Sequence, residues 1–285
     1  MASVQLAVHS PGNATESRGS VADRLSFGAV IGILGSLATL LLIVPTIIVV
    51  TTSFTNAYSL KFPPPGYSTR WYEALWNDSP EIIAAAQLSF EIAAIATCVS
   101  VILGVAAALA LARRREAWVR LLDSIFMSPL MLPALALGLA LLMMFNLMEQ
   151  GLSRLTLVIG HVAICVPYIL RTTSASLSQL DPALLESAHS LGARPLFAFR
   201  TLTLPLIMPG VAAGAFIAFM ASFDNVAISL FLSDARSEVL PIRMWHIIEA
   251  SLDVRAAAVS GVLIAATVVL GLVMERVAGI SRHLR

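Results

Sequence analysis

Residues Ile92–Ala112 read IAAIATCVSVILGVAAALALA, a run without a single charge, and Arg113-Arg114-Arg115 follows at once. A helix of about 20 apolar residues crosses the hydrocarbon core of a bilayer. The stretch therefore predicts a membrane span closed at one end by cations. Five more segments meet or approach the same test: Phe27–Val50, Leu121–Phe145, Leu155–Leu170, Met208–Leu232 and Ala256–Met274. The fourth span in chain order, Leu155–Leu170, is short, and the fifth, Met208–Leu232, carries Asp224. Lipid tolerates no unsatisfied backbone, and no ten-residue alternating pattern suggests a barrel. The fold class expected is all-α, a polytopic membrane protein with about six transmembrane helices.

Composition agrees. Of 285 residues, 58% are hydrophobic and 12% charged, with a mean hydropathy of +0.86. A soluble domain carries roughly 25% charged residues, so much of this surface must face membrane lipid. The net charge of +1 points to no nucleic acid. Cys98 and Cys165 both fall in apolar runs and read as small buried hydrophobes rather than a disulfide framework. Residues 1–26 are polar and rich in Ser, Gly and Asn, which predicts a disordered tail. Phe27–Val50 is too long for a cleaved signal and lacks an A-x-A exit, so it stays as the first span. The chain divides into a tail at 1–26, a six-helix domain at 27–278 and a tail at 279–285.

Orientation follows from the basic residues. With the N-terminus inside, Arg18, Arg24, Arg113, Arg114, Arg115, Arg120, Arg171, Arg194, Arg200, Arg276, Arg282 and Arg285 are cytoplasmic. Lys61, Arg70, Arg154, Arg236, Arg243 and Arg255 are outside, twelve against six. Both termini are expected in the cytoplasm. The first outer loop, Thr51 to about Glu81, holds Pro63-Pro64-Pro65-Gly66, Trp71-Tyr72 and Trp76. Its aromatics serve either as interfacial anchors or as a docking surface. A short helix is expected around Ile242–Glu249 in the last outer loop. Pro45, Pro129, Pro133 and Pro167 interrupt the spans, where proline kinks a helix and frees carbonyls.

The cytoplasmic loop 171–207 carries the functional signal. From Asp181 to Gly210 it reads DPALLESAHSLGARPLFAFRTLTLPLIMPG. Asp181 is a natural N-cap and Pro182 suits the first helical position. Leu184, Ala188 and Leu191 share a face, with Glu186, Ser187, His189 and Ser190 away from it. Gly192 is placed to end the helix in the left-handed conformation. A second short helix follows over Ala193–Arg200. By composition alone, this is equally an amphipathic connector resting on the membrane.

The stretch resembles the EAA loop of ABC import permeases: E-A-A, three residues, G, nine residues, I-x-L-P. Glu186, Ser187 and Ala188 stand in its first three positions, Gly192 in the glycine position, and Leu202 with Leu204-Pro205 at its end. Ser187 replaces Ala and Leu202 replaces Ile. The resemblance implies that the loop is a coupling helix seated on a cytosolic ABC ATPase dimer. Within that family the chain is most similar to spermidine/putrescine permeases of the C-type subunit. The residues carrying this are Arg70-Trp71-Tyr72, Gly104 with Ala106-Ala107-Ala108-Leu109-Ala110, Pro129-Leu130-Met131-Leu132-Pro133, and Ser222-Phe223-Asp224-Asn225 with Leu230-Phe231-Leu232. Related permeases import phosphonates and amino-acid-like compounds.

The expectation is a transport subunit of the bacterial inner membrane that supplies half of a path for a small solute. It pairs with a second homologous permease, and a periplasmic or extracellular solute-binding protein delivers the substrate. No phosphate-binding G-x-x-x-x-G-K-[ST] occurs, so the chain itself binds no cofactor; ATP and Mg belong to the partner ATPase. The rival readings are an intramembrane enzyme and a secondary transporter. His161 with Cys165 at i+4 supplies too few ligands for a metal site, and His161 is expected to bond a carbonyl between helices. Asp224 is the candidate pathway residue, with Ser222, Phe223 and Asn225 beside it. A carboxylate at the bilayer centre costs roughly 2.5–3.5 kcal/mol. It therefore either meets a cationic substrate or is satisfied by Ser222, Ser229 or the partner permease.

Overall fold

The computed structural model describes residues 16–112, 116–234, 237–251 and 253–278, with side chains from Phe27 to Arg276. The segment 1–15, the Arg113–Arg115 cluster, Arg236 and the tail 279–285 lie outside the described residues. What is described is helical. Its elements are α1 (Glu16–Ser53), α2 (Arg70–Asn77), α3 (Pro80–Leu111), α4 (Ala117–Met131), α5 (Ala134–Leu147), α6 (Arg154–Ser178), α7 (Pro182–Ser190) and α8 (Pro195–Ala198). A π-helical turn, Phe199–Thr203, leads into α9 (Leu204–Phe223), α10 (Val226–Leu232), α11 (Leu240–Ser251) and α12 (Val254–Ala278). Five helices or helix runs are long and apolar enough to cross a membrane, and the bent pair α4–α5 makes a sixth span.

Boundaries differ from the sequence reading for physical reasons. The first helix starts at Glu16, inside the segment expected to be a disordered tail; adding residues to an existing helix is cheap once the span has nucleated it. The second starts at Pro80 rather than Ile92, with Pro80 at its first turn. Its first three turns pack against α11, where Ser89 Oγ accepts the Leu240 N–H at 2.8 Å. The third span is two helices bent by 107°. Leu132 between them is extended (φ −81°, ψ 145°), as a residue before proline prefers. The fourth runs on to Ser178 and passes through Pro167 without a break.

At the centre, α3, α6 and α9 pack closely enough that side chains must be absent at the contacts. A Cβ at Gly104 would lie 2.7 Å from Ile169 Cβ, and one at Gly214 would meet Ile169 Cα at 3.2 Å. Small residues of this kind let membrane helices approach. The core around them includes Ile92, Ala96, Leu157, Ile164, Cys165, Ile169 and Ala218. By contrast, α1 is exposed on every side from Phe27 to Ile47. It joins the bundle at its outer end, where Ser53 Oγ lies 2.7 Å from Tyr72 Oη.

The outer loop is folded by its aromatics. Arg70 lies over the rings of Tyr58 (4.2 Å) and Trp71 (4.6 Å), and both Arg70 and Trp71 donate to the Ala57 carbonyl. Trp76 remains 77% exposed. An ionic cluster joins α3, α11 and α12 at one end of the bundle: Arg243 pairs with Glu81 and Glu238, and Arg255 with Glu81 and Asp253. Burial pushes the Asp253 carboxyl up, but hydrogen bonds and charge from Arg255 outweigh it, and the net shift is down.

Candidate functional site

The α7–α8 element forms as its local chemistry dictates. Asp181 caps α7 by accepting the Ala183 N–H at 2.9 Å, with Pro182 at the first position. Gly192 ends the helix at φ +81°. The Gly192 N–H donates to His189 O at 2.9 Å and the Ala193 N–H to Ala188 O at 3.0 Å, the paired bonds of a Schellman motif. A Cβ at Gly192 would touch nothing within 4 Å, so the backbone angle alone demands glycine.

The chain then turns into α8 and the π-helical turn, where the Leu204 N–H reaches back to Phe199 O. Pro205 offers no N–H to the ordinary ladder, and the wider π register accommodates it. From Pro195 to Phe223 the backbone is one helical rod. In the crook between α7 and this rod is a groove of about 490 Å³, lined by Ala188, Leu191, Gly192, Ala193, Phe197 and Leu202 among others. Leu191 is 88% exposed, Leu196 67% and Phe197 62%. Exposed apolar patches of this kind mark interaction surfaces in general. Glu186 and Ser187 are exposed on α7, whereas Ala188 and Leu202 are half-buried in the groove; Pro205 is exposed at the start of α9.

The second site is a break near the other end of the same rod. The helix expected to run Met208–Leu232 stops at Phe223. Asp224 is its C-cap, and Asn225 opens α10 by accepting the Ile228 N–H at 2.7 Å. Asp224 thus sits at a helix break and not within a continuous helix. His161 marks its depth: it lies seven residues, or about 10 Å, along α6 from Arg154 and bonds Ser222 at 2.7 Å. Arg154 in turn pairs with Glu91 at the outer edge. The break therefore lies toward the Arg154 end of the span, not at its centre.

The Asp224 carboxylate is exposed and, among the described residues, makes no hydrogen bond or ion pair. Beside it, Phe219 and Phe223 stack at 6.0 Å, and Phe90 packs edge-on to Phe219 at 5.6 Å. Ser222 and Ser229, weighed as partners for Asp224, are instead both bonded to His161. His161 accordingly meets two hydroxyls as well as the Ser222 backbone, the inter-helix backbone bond expected of it, and one turn away the Cys165 thiol donates to Ala218 O at 3.3 Å. Sequence spacing could not find this arrangement, because Ser222 and Ser229 lie 61 and 68 residues from His161. The two sites occupy opposite ends of one rod, and the fold brings no residue of one to the other.

Comparison with known proteins places the chain in a family. Residues 100–282 match the family described as binding-protein-dependent transport system inner membrane component. The spermidine/putrescine transport system permease protein PotC of Haemophilus influenzae is 30% identical over 243 residues, covering 85% of this chain and 93% of that protein. The putrescine transport system permease protein PotI of Escherichia coli K12 is 31% identical over 236 residues, 80% of this chain and 83% of that one. Among solved structures, a bacterial alginate ABC transporter in complex with a periplasmic protein bound to an alginate pentasaccharide matches with a TM-score of 0.65 at 15% identity. It covers 92% of this chain and 96% of that one, a likeness of fold.

Proposed function

We propose that this chain, which belongs to the family of binding-protein-dependent transport inner membrane components, forms half of an ATP-driven path for a polyamine. Membership makes it a multi-pass inner-membrane transport subunit. The polyamine is our reading, and the observation that carries it is the exposed, unpaired Asp224 carboxylate beside the Phe219–Phe223 pair. A polyamine presents ammonium groups separated by methylenes. A carboxylate next in the chain to a stacked aromatic pair suits both parts, since ring faces attract cations and cover apolar surface. Similarity to permeases for spermidine and putrescine over four fifths of the chain supports the same substrate class.

On this reading a cytosolic ABC ATPase dimer, which holds the ATP and Mg, seats against Glu186, Ser187, Ala188 and Gly192, with Leu202 and Pro205 fixing the second arm of the element. A second, homologous permease supplies the other half of the path. A solute-binding protein delivers substrate from outside, as the periplasmic protein in the alginate transporter complex suggests. Both termini face the cytoplasm. The test is Asp224→Asn in the reconstituted complex. Spermidine uptake should fall by about tenfold or more, the loss of one charge-assisted contact, while assembly and basal ATP hydrolysis persist. Unchanged uptake kinetics would remove Asp224 from the path.

A further inference from the structure

We propose that His161 is a positioning residue of the transport path: by bridging Ser222 and Ser229 it holds the α9–α10 break, and with it the Asp224 carboxylate, in place. The inference rests on the reading of Asp224 as the cation contact.

His161 is 2% exposed, and Ser222 and Ser229 are 2% and 1% exposed. Its Nδ1 lies 2.7 Å from Ser222 Oγ and its Nε2 3.2 Å from Ser229 Oγ. Ser222 precedes Asp224 by two residues and Ser229 follows it by five. The ring therefore closes the break from the side, one nitrogen donating and the other accepting in the neutral imidazole. The break's own backbone N–H groups bond locally: Asp224 N–H to Met220 O, Asn225 N–H to Ser222 O, and Ile228 N–H to Asn225 Oδ1. The two His161 bonds thus tie residues 222–232 by side chains to α6.

Packing holds the ring's own backbone in register. Gly160, its neighbour, faces Leu232 and Ile228 of α10 so closely that a Cβ there would collide with Leu232. One turn further in, the Cys165 thiol repeats the tie to α9. A merely space-filling histidine is a poor account. Serine in a helix satisfies itself on a carbonyl three or four residues back, so neither serine needs the ring, and yet both turn to it. The location matters too. α6 and the α8–α9 rod are the two helices that leave the α7 element, and His161 is bonded to the far end of the second. Movement of one against the other is felt first at this knot.

Two readouts on the assembled transporter in nanodiscs or proteoliposomes test this. The first is spermidine uptake by His161→Phe, which keeps a planar ring but no hydrogen-bonding nitrogen, and by the double variant Ser222→Ala/Ser229→Ala. Each should raise the apparent KM by about tenfold with maximal rate and basal ATP hydrolysis within about twofold. His161→Gln, which keeps a donor and an acceptor, should recover most of the loss. Combined with Asp224→Asn, His161→Phe should add nothing further, because both act through one contact.

The second readout is the distance distribution between spin labels at Leu155→Cys on α6 and Leu230→Cys on α10, both exposed. The background is Cys98→Ala, since Cys165 is buried. The distribution should broaden in His161→Phe and narrow again in His161→Gln. An unchanged distribution with unchanged KM overturns the proposal on His161's own account. A broadened distribution with normal uptake by Asp224→Asn overturns it through the Asp224 reading instead.

Discussion

Gly192 shows how far a single residue can be read from sequence. Its place after a short amphipathic run, with Asp181-Pro182 at the other end, predicts a left-handed terminus, and the backbone has φ +81° there. Nothing crowds its Cβ position, so substitution costs follow the backbone alone: Gly192→Asn mild, Gly192→Ala intermediate, Gly192→Val worst at roughly 1 kcal/mol or more. All three should insert and assemble, and substrate-stimulated ATP hydrolysis should fall in that order. Wild-type stimulation in Gly192→Val would make the loop a connector only. Asp224 was legible as an anomaly, a carboxylate in an apolar run, but not as a cap. Nothing in Ser222-Phe223-Asp224-Asn225 forces the helix to stop; Asn225 is as good an N-cap as any, but it needs His161 from another helix to fix the turn. Asp253 yields a pH test. Its pKa is lowered in the fold, so the stabilisation from its pair with Arg255 is complete above the ordinary carboxylate range, about 4. It is lost as pH falls through the lower folded value. Thermal unfolding of the wild type should drop on acidification below about pH 4 more steeply than that of Asp253→Asn.

At the scale of elements, prolines separate what composition reveals from what it does not. Pro129 and Pro133 look alike in Pro129-Leu130-Met131-Leu132-Pro133, yet α4 passes through the first and ends at the second. Pro129 removes the N–H that Ile125 O would accept, and the Ser128 hydroxyl donates to that carbonyl at 2.8 Å instead. Leu132, ahead of Pro133, has no hydroxyl to offer. The bend swings α5 onto α10, where a Cβ at Gly138 would lie 2.9 Å from the Ala227 carbonyl oxygen and 2.7 Å from Phe231 Cδ2. Because a backbone atom cannot step aside, Gly138→Val should overpack the contact by about 1–3 kcal/mol. Unfolding of the purified protein should shift down by several degrees, with a smaller shift for Gly138→Ala. No shift in either variant would show that α5 and α10 do not meet this closely.

For the whole molecule, the six spans and their order were within reach of hydropathy, because the bilayer imposes a length and a helical backbone on every crossing. What hydropathy could not give is which helices face protein. α1 and α3 are similarly apolar, yet α1 stands exposed on all sides over Phe27–Ile47 while α3 is buried against α6 and α9. Orientation is a separate question, since the helices would pack the same way up or down, and it rests on the twelve-to-six division of basic residues. The structure adds a consequence: α7, the groove beside it and the exposed Leu191 lie at one end, and the Arg243–Glu81–Arg255 cluster lies at the other. A cysteine placed at the exposed Ser187, in a Cys98→Ser background with Cys165 left buried, therefore reports the sidedness of the whole bundle. In intact spheroplasts it should resist a membrane-impermeant maleimide, and in inverted vesicles it should react within minutes. A cysteine at Trp76, 77% exposed in the outer loop, should behave in the opposite way. Labelling of Ser187→Cys from outside would turn the bundle over and carry the ATPase docking surface away with it.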